Sequence, residues 1–186
     1  MSQETSTAFD LGEAMQLLRR TPGTLRALLM DLDETWLAAR EGPGTWSCTQ
    51  VVAHLADLEE TDWMARTRVI LAGDENATFT PIDRERFQTS LAGMPMGGLL
   101  DVFSDRRRQN VAELEALRLT REDLSRRARH PDFGPVMLGQ LLATWTVHDL
   151  THIAQIVRVM ARRYDRDVGP WRAFLSVLSR ERLPAP

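Results

Sequence analysis

Apolar residues recur at three- and four-residue spacing along nearly the whole chain, while strand-like alternation over four or more residues is hard to find. Glycine and proline cluster between the periodic segments, where loops belong. The spacing predicts a first helical region from about Asp10 to Leu32. "RTPGT" interrupts it: Thr21 can cap and Pro22 can take a first helical position, so a break or kink is expected there. After the loop "AREGPGTW", Ser47 is followed three residues later by Gln50, a capping-box pattern that opens a helix running to about Leu71. Residues 73–98 carry Pro81, Gly93, Pro95, Gly97 and Gly98 and predict a long connection, either a cover over a site or a linker. A third helix is expected near Leu99 to Arg118, burying Leu100, Phe103, Val111, Leu114 and Leu117. "TRED" and "RHPDFGP" lead to a fourth helix, from about Val136 to Arg163, and "WRAFLSVL" predicts a short closing helix.

Four long helices of about 20 residues each, with few strands, predict an all-α fold. The expected architecture is a four-helix bundle with a short C-terminal helix, in one domain spanning residues 1–186. Composition then narrows the function. The net charge of −3 gives no basic field to draw in nucleic acid or an anionic membrane, so neither is expected as a partner. All 23 basic residues are arginine, which excludes a Schiff-base lysine and a P-loop lysine. The single cysteine, Cys48, permits no intrachain disulfide and no cysteine-rich zinc module. "MSQETSTAFD" has no apolar core of a signal peptide, and no run approaches the roughly 18 apolar residues of a membrane span, so a cytoplasmic protein is expected.

Chemistry enters with "HDLTHIAQI", which sets His148 and His152 four residues apart in an apolar stretch. On the fourth helix the row Leu138, Leu141, Trp145, His148, His152, Ile156, Val159 lines one face. On the second, Val51, His54, Leu58, Ala65 and Val69 do the same. Three of the four histidines therefore point into the bundle. Imidazoles at i and i+4 can reach one ion, and a third from a facing helix would complete a three-histidine site with a coordination position left open. A hydrogen-bonded core cluster without metal is the alternative. His130, in "ARHPDF", is expected in an exposed loop, within reach of an open position. "HDLTH" is near the H-E-x-x-H of zinc proteases, but Asp149 replaces the glutamate and the downstream histidine extension is missing, so that reading is set aside.

"TWSCTQVVAHLADLEE" followed far along the chain by "TVHDLTHIAQIVRVM" resembles the DinB-like superfamily, over roughly Asp10 to Tyr164. Trp46, Ser47, His54, Leu55, His148, His152, Gln155 and Ile156 carry the resemblance. It implies a four-helix bundle, often a homodimer, with a divalent metal, zinc or nickel, on His54, His148 and His152. It also implies low-molecular-weight thiol chemistry, as in bacillithiol or mycothiol S-transferases and a mycothiol-dependent maleylpyruvate isomerase, acting on a small-molecule substrate. Metal-dependent hydrolysis is the second activity it implies, and a non-catalytic stress-related binding or dimerisation module is a third possibility.

For either chemistry the supporting residues are few. Asp57, three residues after His54, is a candidate to orient its ring, whereas Asp149 lies about 100° around the helix from His148. Glu59 and Glu60 are expected on the solvated face. The want of an obvious general base favours thiol chemistry. Arg106, Arg107 and Arg108 are candidates to bind the carboxylates or sugar of a thiol cofactor, with a solvated helix face as the alternative; Arg126, Arg127 and Arg129 form a second such cluster. Cys48, in a helix's first turn, is either a reactive thiol or an apolar filler. Trp63 and Trp171 are candidates to line a pocket or a dimer seam.

Overall fold

The computed structural model describes residues 9–178. Its helices are α1 (Leu11–Leu29), α2 (Glu34–Leu37), α3 (Cys48–Thr61), α4 (Trp63–Leu71), α5 (Phe87–Ser90), α6 (Met96–Ala116), α7 (Arg121–Ser125) and α8 (Leu138–Arg162). A hairpin of β1 (Arg127–His130) and β2 (Gly134–Met137) precedes α8. The bundle consists of α1, α3 continued by α4, α6 and α8, with α6 packed on α1 and α3, and α8 on α1, α3 and α4.

The capping box at Ser47 forms as the sequence predicts: Gln50 N–H donates to Ser47 Oγ (3.2 Å), and Ser47 N–H to Gln50 Oε1 (3.1 Å). The expected break at Pro22 does not occur. Helix α1 runs through it, and Thr21 donates back to the Leu17 carbonyl instead of capping (3.2 Å). Proline has no N–H, so the Leu18 carbonyl loses its helical donor. The buried Arg107 supplies one from α6, Nη1 to Leu18 O at 3.0 Å. A tertiary hydrogen bond thus stands in for the missing backbone one.

The second long helix is divided rather than continuous. At Asp62 (φ −115, ψ −76) the chain leaves helical geometry and restarts one residue later. The third helix starts three residues before its expected position, directly after Pro95, and ends at Ala116, leaving Leu117 exposed. The fourth starts at Leu138, because Val136 belongs to β2. The hairpin lies where a plain connection was expected. Gly134, at φ 73, takes the left-handed conformation that its tight turn requires. "WRAFLSVL" forms parts of two 3-10 turns, Gly169–Phe174 and Ser176–Leu178, not an α-helix.

Two apolar clusters fill the interior. One includes Leu25, Val52, Leu55, Leu99, Phe103 and Ile156, and the other Leu18, Met64, Leu114, Leu138 and Trp145. Along α6 and α8 the two clusters are separated by polar residues, Arg107 on α6 and His148, Asp149 and His152 on α8; His54 and Glu59 of α3 meet them there. The bundle therefore has a polar waist, and the site is built there. No helix among the described residues is long and apolar enough to cross a membrane.

Candidate metal centre

Two helices bring the three histidines together: α3 supplies His54, and one face of α8 supplies His148 and His152. Their Nε2 atoms converge. His148 Nε2 lies 3.2 Å from that of His152 and 3.4 Å from that of His54, and the three candidate ligand atoms lie within 4.8 Å of one another. Two ligands of a tetrahedral ion with metal–nitrogen bonds of ~2.0–2.1 Å stand about 3.3 Å apart. The two separations to His148 match that spacing and the third pair lies within 4.8 Å, so the donor set fits a divalent cation.

The ring of His152 is held in the form that ligation needs. The Gln155 amide oxygen lies 2.8 Å from His152 Nδ1. An amide oxygen only accepts, so Nδ1 carries the proton and Nε2 presents a lone pair. Burial, followed by the charges of His152 and Arg84, pushes His54 down to about 3. Burial also lowers His148 and His152, the former well below the usual histidine range. All three rings are therefore neutral at neutral pH, the form in which an imidazole can bind a cation. Trp46 packs against both His54 (4.5 Å between centroids) and His152 (6.2 Å, near-parallel), while Trp63 meets His148 edge-on (5.3 Å). His148 Nδ1 is buried without a hydrogen-bond partner among the described residues.

Removal of the Gln155 amide tests its orienting role. Gln155→Ala is expected to weaken zinc binding by about 10- to 100-fold, with the fold intact. A competition titration against a chromogenic chelator measures it, and an unchanged affinity would remove Gln155 from the site.

Asp57 does not orient His54. Its Oδ1 accepts from Arg86 Nη1 (2.7 Å) and Ser90 Oγ (2.8 Å), so it ties down the connection between α4 and α6. That connection does cover the site: Phe87 packs edge-on against Trp46 and His54, and Phe79, Ile82 and Arg84 line the adjoining pocket. The three consecutive arginines of α6 diverge, and none lines this pocket. Arg106 bonds the Ala56 carbonyl (2.8 Å) and pairs with Glu60; exposed Arg108 pairs with Asp105. Arg107 is buried between Glu59 (2.8 Å) and Asp149 (2.5 and 2.9 Å). Glu59, expected in solvent, is in the core, where it also accepts from Trp145 Nε1 (3.0 Å) and Asn110 Nδ2 (3.0 Å). Burial raises its carboxyl above the ordinary range despite Arg107. Asp149 is fully engaged by Arg107, which agrees with setting aside the protease reading.

His54 and His148 open on a pocket of about 220 Å³. Trp63 lines it, whereas Trp171 lies exposed elsewhere. His130 also lines it, carried there by β1. The pocket holds a carboxylate that sequence reasoning misses, that of Asp62 at the α3–α4 break. It is paired with Arg66 (2.6 Å), yet burial raises it to about 6. Its sequence context, an acid inside an amphipathic helix, gives no sign of this. Cys48 is buried, and burial pushes its thiol up to about 11, so it is an apolar filler and not an activated nucleophile.

Known proteins resemble this chain to different degrees. Over 80% of this chain, a Bacillus cereus protein named "Putative metal-dependent hydrolase" is 26% identical, with 84% of its own length matched. An Oceanobacillus iheyensis protein of the same name is 23% identical over 82% of this chain and 87% of its own. YfiT of Bacillus subtilis, a four-helix bundle of unusual topology, superimposes with a TM-score of 0.73 over 88% of this chain and 93% of its own, at 23% identity. A profile of the DinB superfamily matches residues 17–156, most of the bundle with all three histidines inside it, and the chain belongs to that superfamily.

Proposed function

We propose that the protein is a metal-dependent enzyme that holds a divalent cation, zinc or nickel, on His54, His148 and His152 and acts on a small molecule in the adjoining pocket. The observation that carries this reading is the convergence of three neutral Nε2 atoms at ligand spacing beside a pocket lined by two of the three rings. A cation there supplies a Lewis acid that lowers the pKa of a bound thiol or water and so yields a nucleophile at neutral pH.

Thiol S-transfer is the first reading of that chemistry, with a low-molecular-weight thiol such as bacillithiol or mycothiol as the nucleophile's source. A thiol needs no strong protein base once its pKa is lowered. The apolar walls, Trp46, Trp63 and Phe79 among them, suit an electrophile with a hydrophobic body and exclude competing water. Metal-dependent hydrolysis is the second reading, and Asp62 favours it: a carboxylate near pH 6 on the pocket wall is poised to accept a proton from an attacking water. The names of the two relatives agree with this second reading.

The test begins with metal content of untagged protein beside a His148→Ala/His152→Ala double variant. About one ion per chain is expected, and none in the variant. Metal-loaded protein is then offered a chlorobimane with a small thiol, and separately a nitrophenyl ester without one. Metal-dependent conjugation supports S-transfer. Ester hydrolysis that falls at least tenfold in Asp62→Asn supports the hydrolase. Absence of metal uptake removes both readings.

A further inference from the structure

The pocket has an unbalanced charge. Asp62, Arg66 and Arg84 are the charged side chains that line it, with His130 beside them. Asp62 and Arg66 pair at 2.6 Å and cancel, and the Arg66 guanidinium further stacks on Phe79 at 4.9 Å. Arg84 has no ion pair or hydrogen bond among the described residues. Its sequence neighbours Asp83 and Glu85 do not line the pocket and do not pair with it. Its charge nevertheless reaches inward, contributing after burial to the lowering of His54, His148 and His130. An arginine that lines an aromatic pocket without a partner is a receptor for an anion.

His130 adds a second donor. Asp132 N–H donates to its Nδ1 (3.1 Å), which places the ring proton of the neutral form on Nε2. Phe133 stacks on the ring (4.4 Å between centroids, 18° apart), and Phe79 meets it edge-on, so the imidazole is held rigidly. The hairpin, through β1, thus places His130 on the pocket wall. With a divalent cation on the three histidines, every uncompensated charge around the pocket is positive.

We propose that the pocket selects small molecules that carry an anionic group, received by Arg84 together with the Nε2–H of His130, with their apolar body against the aromatic walls. The inference deepens the substrate-pocket reading above and rests on it. The anion belongs either to the electrophile or to the thiol, and a carboxylate or sulfonate meets the same two donors.

Binding of two probes of equal shape tests it: benzenesulfonate, an anion that ligates metals poorly, and the neutral methyl phenyl sulfone. Trp46 and Trp63 in the pocket walls provide the fluorescence signal. In the protein as purified, the sulfonate is expected to bind about tenfold more tightly. Arg84→Gln abolishes the preference, and Arg84→Lys retains part of it. Because Arg84 is exposed, neither variant disturbs folding. Equal binding of the two probes, or a preference that survives Arg84→Gln, overturns the inference. A parallel comparison of benzohydroxamate with benzamide reports the metal alone: loss of the hydroxamate advantage sinks the metal reading and leaves the outcome of the sulfonate comparison to stand on its own.

Discussion

Arg107→Met is expected to lower the unfolding free energy by about 3–5 kcal/mol. Methionine matches the aliphatic stem of arginine but leaves three groups stranded. Asp149 loses both of its bonds from Arg107, Glu59 loses one, and the Leu18 carbonyl loses the donor that replaced the N–H of Pro22. The guanidinium is almost fully buried. Desolvation disfavours its charge, and Glu59 and Asp149 more than restore it. Its plane also lies over Trp145 (5.1 Å) and Phe103 (4.9 Å), a contact that methionine does not reproduce. Arg107→Lys should be nearly as harmful, because an ammonium cannot span Asp149, Glu59 and Leu18 with one planar fork. Replacing all three charges together, with Glu59→Leu and Asp149→Leu, should recover most of the loss, since a buried ion network contributes little relative to a packed apolar one. Urea denaturation curves measure each step. For a chain of this size, the single substitution shifts the melting temperature by roughly 10 °C. A change below about 1 kcal/mol in Arg107→Met would mean that water satisfies the stranded groups.

The same residue marks the limit of what the sequence discloses. The stripe Leu100, Phe103, Val111, Leu114 steps directly across position 107, so periodicity alone places that side chain in the core. Charge argues against it, because an arginine between two other arginines is ordinarily solvated. The partners that hold it inside lie 42, 48 and 89 residues away in sequence, and no local pattern encodes them. Glu59 is misplaced by sequence reasoning for the same reason. The histidines are legible because each sits in an apolar row with a 3.6-residue period, and that period alone decides where a helical side chain points. The hairpin is not, since four-residue strands are too short to show alternation against a helical background. Nor is the break at Asp62, where the apolar spacing continues undisturbed across a local departure of the backbone. Asp57 is buried one turn beyond His54, but its partners Arg86 and Ser90 come from the irregular connection, where spacing predicts nothing.

Removal of metal should make the protein acid-labile, and the sign follows from the three histidines. Each has its pKa lowered by burial in the fold, His54 to about 3, while in the unfolded chain each titrates near 6.5. Below pH ~6.5 the unfolded state therefore binds more protons than the native state, and stability falls as pH falls. Three such groups give a slope of up to about 4 kcal/mol per pH unit. Asp62 and Glu59 act in the opposite sense. Their raised values mean that the fold prefers them protonated, so stability is regained as pH drops through about 6 for Asp62, offsetting roughly 1.4 kcal/mol per unit. The net slope, at most roughly 2.7 kcal/mol per unit, removes about 8 kcal/mol between pH ~6 and ~3, which exhausts a stability in the lower part of the ordinary range of about 5–15 kcal/mol. Zinc held on the three rings would oppose this loss, because the cation requires them neutral and the fold alone brings them together; at a thousandfold excess over its Kd it would add up to about 4 kcal/mol. Chelated protein should therefore unfold in acid about one to two pH units above zinc-loaded protein, as read by far-ultraviolet circular dichroism. In the His148→Ala/His152→Ala variant the effect of zinc should vanish, and the acid slope should fall by about two protons. An acid midpoint that is identical with and without zinc, in wild type and variant alike, would mean that the three rings meet in the bundle without holding an ion.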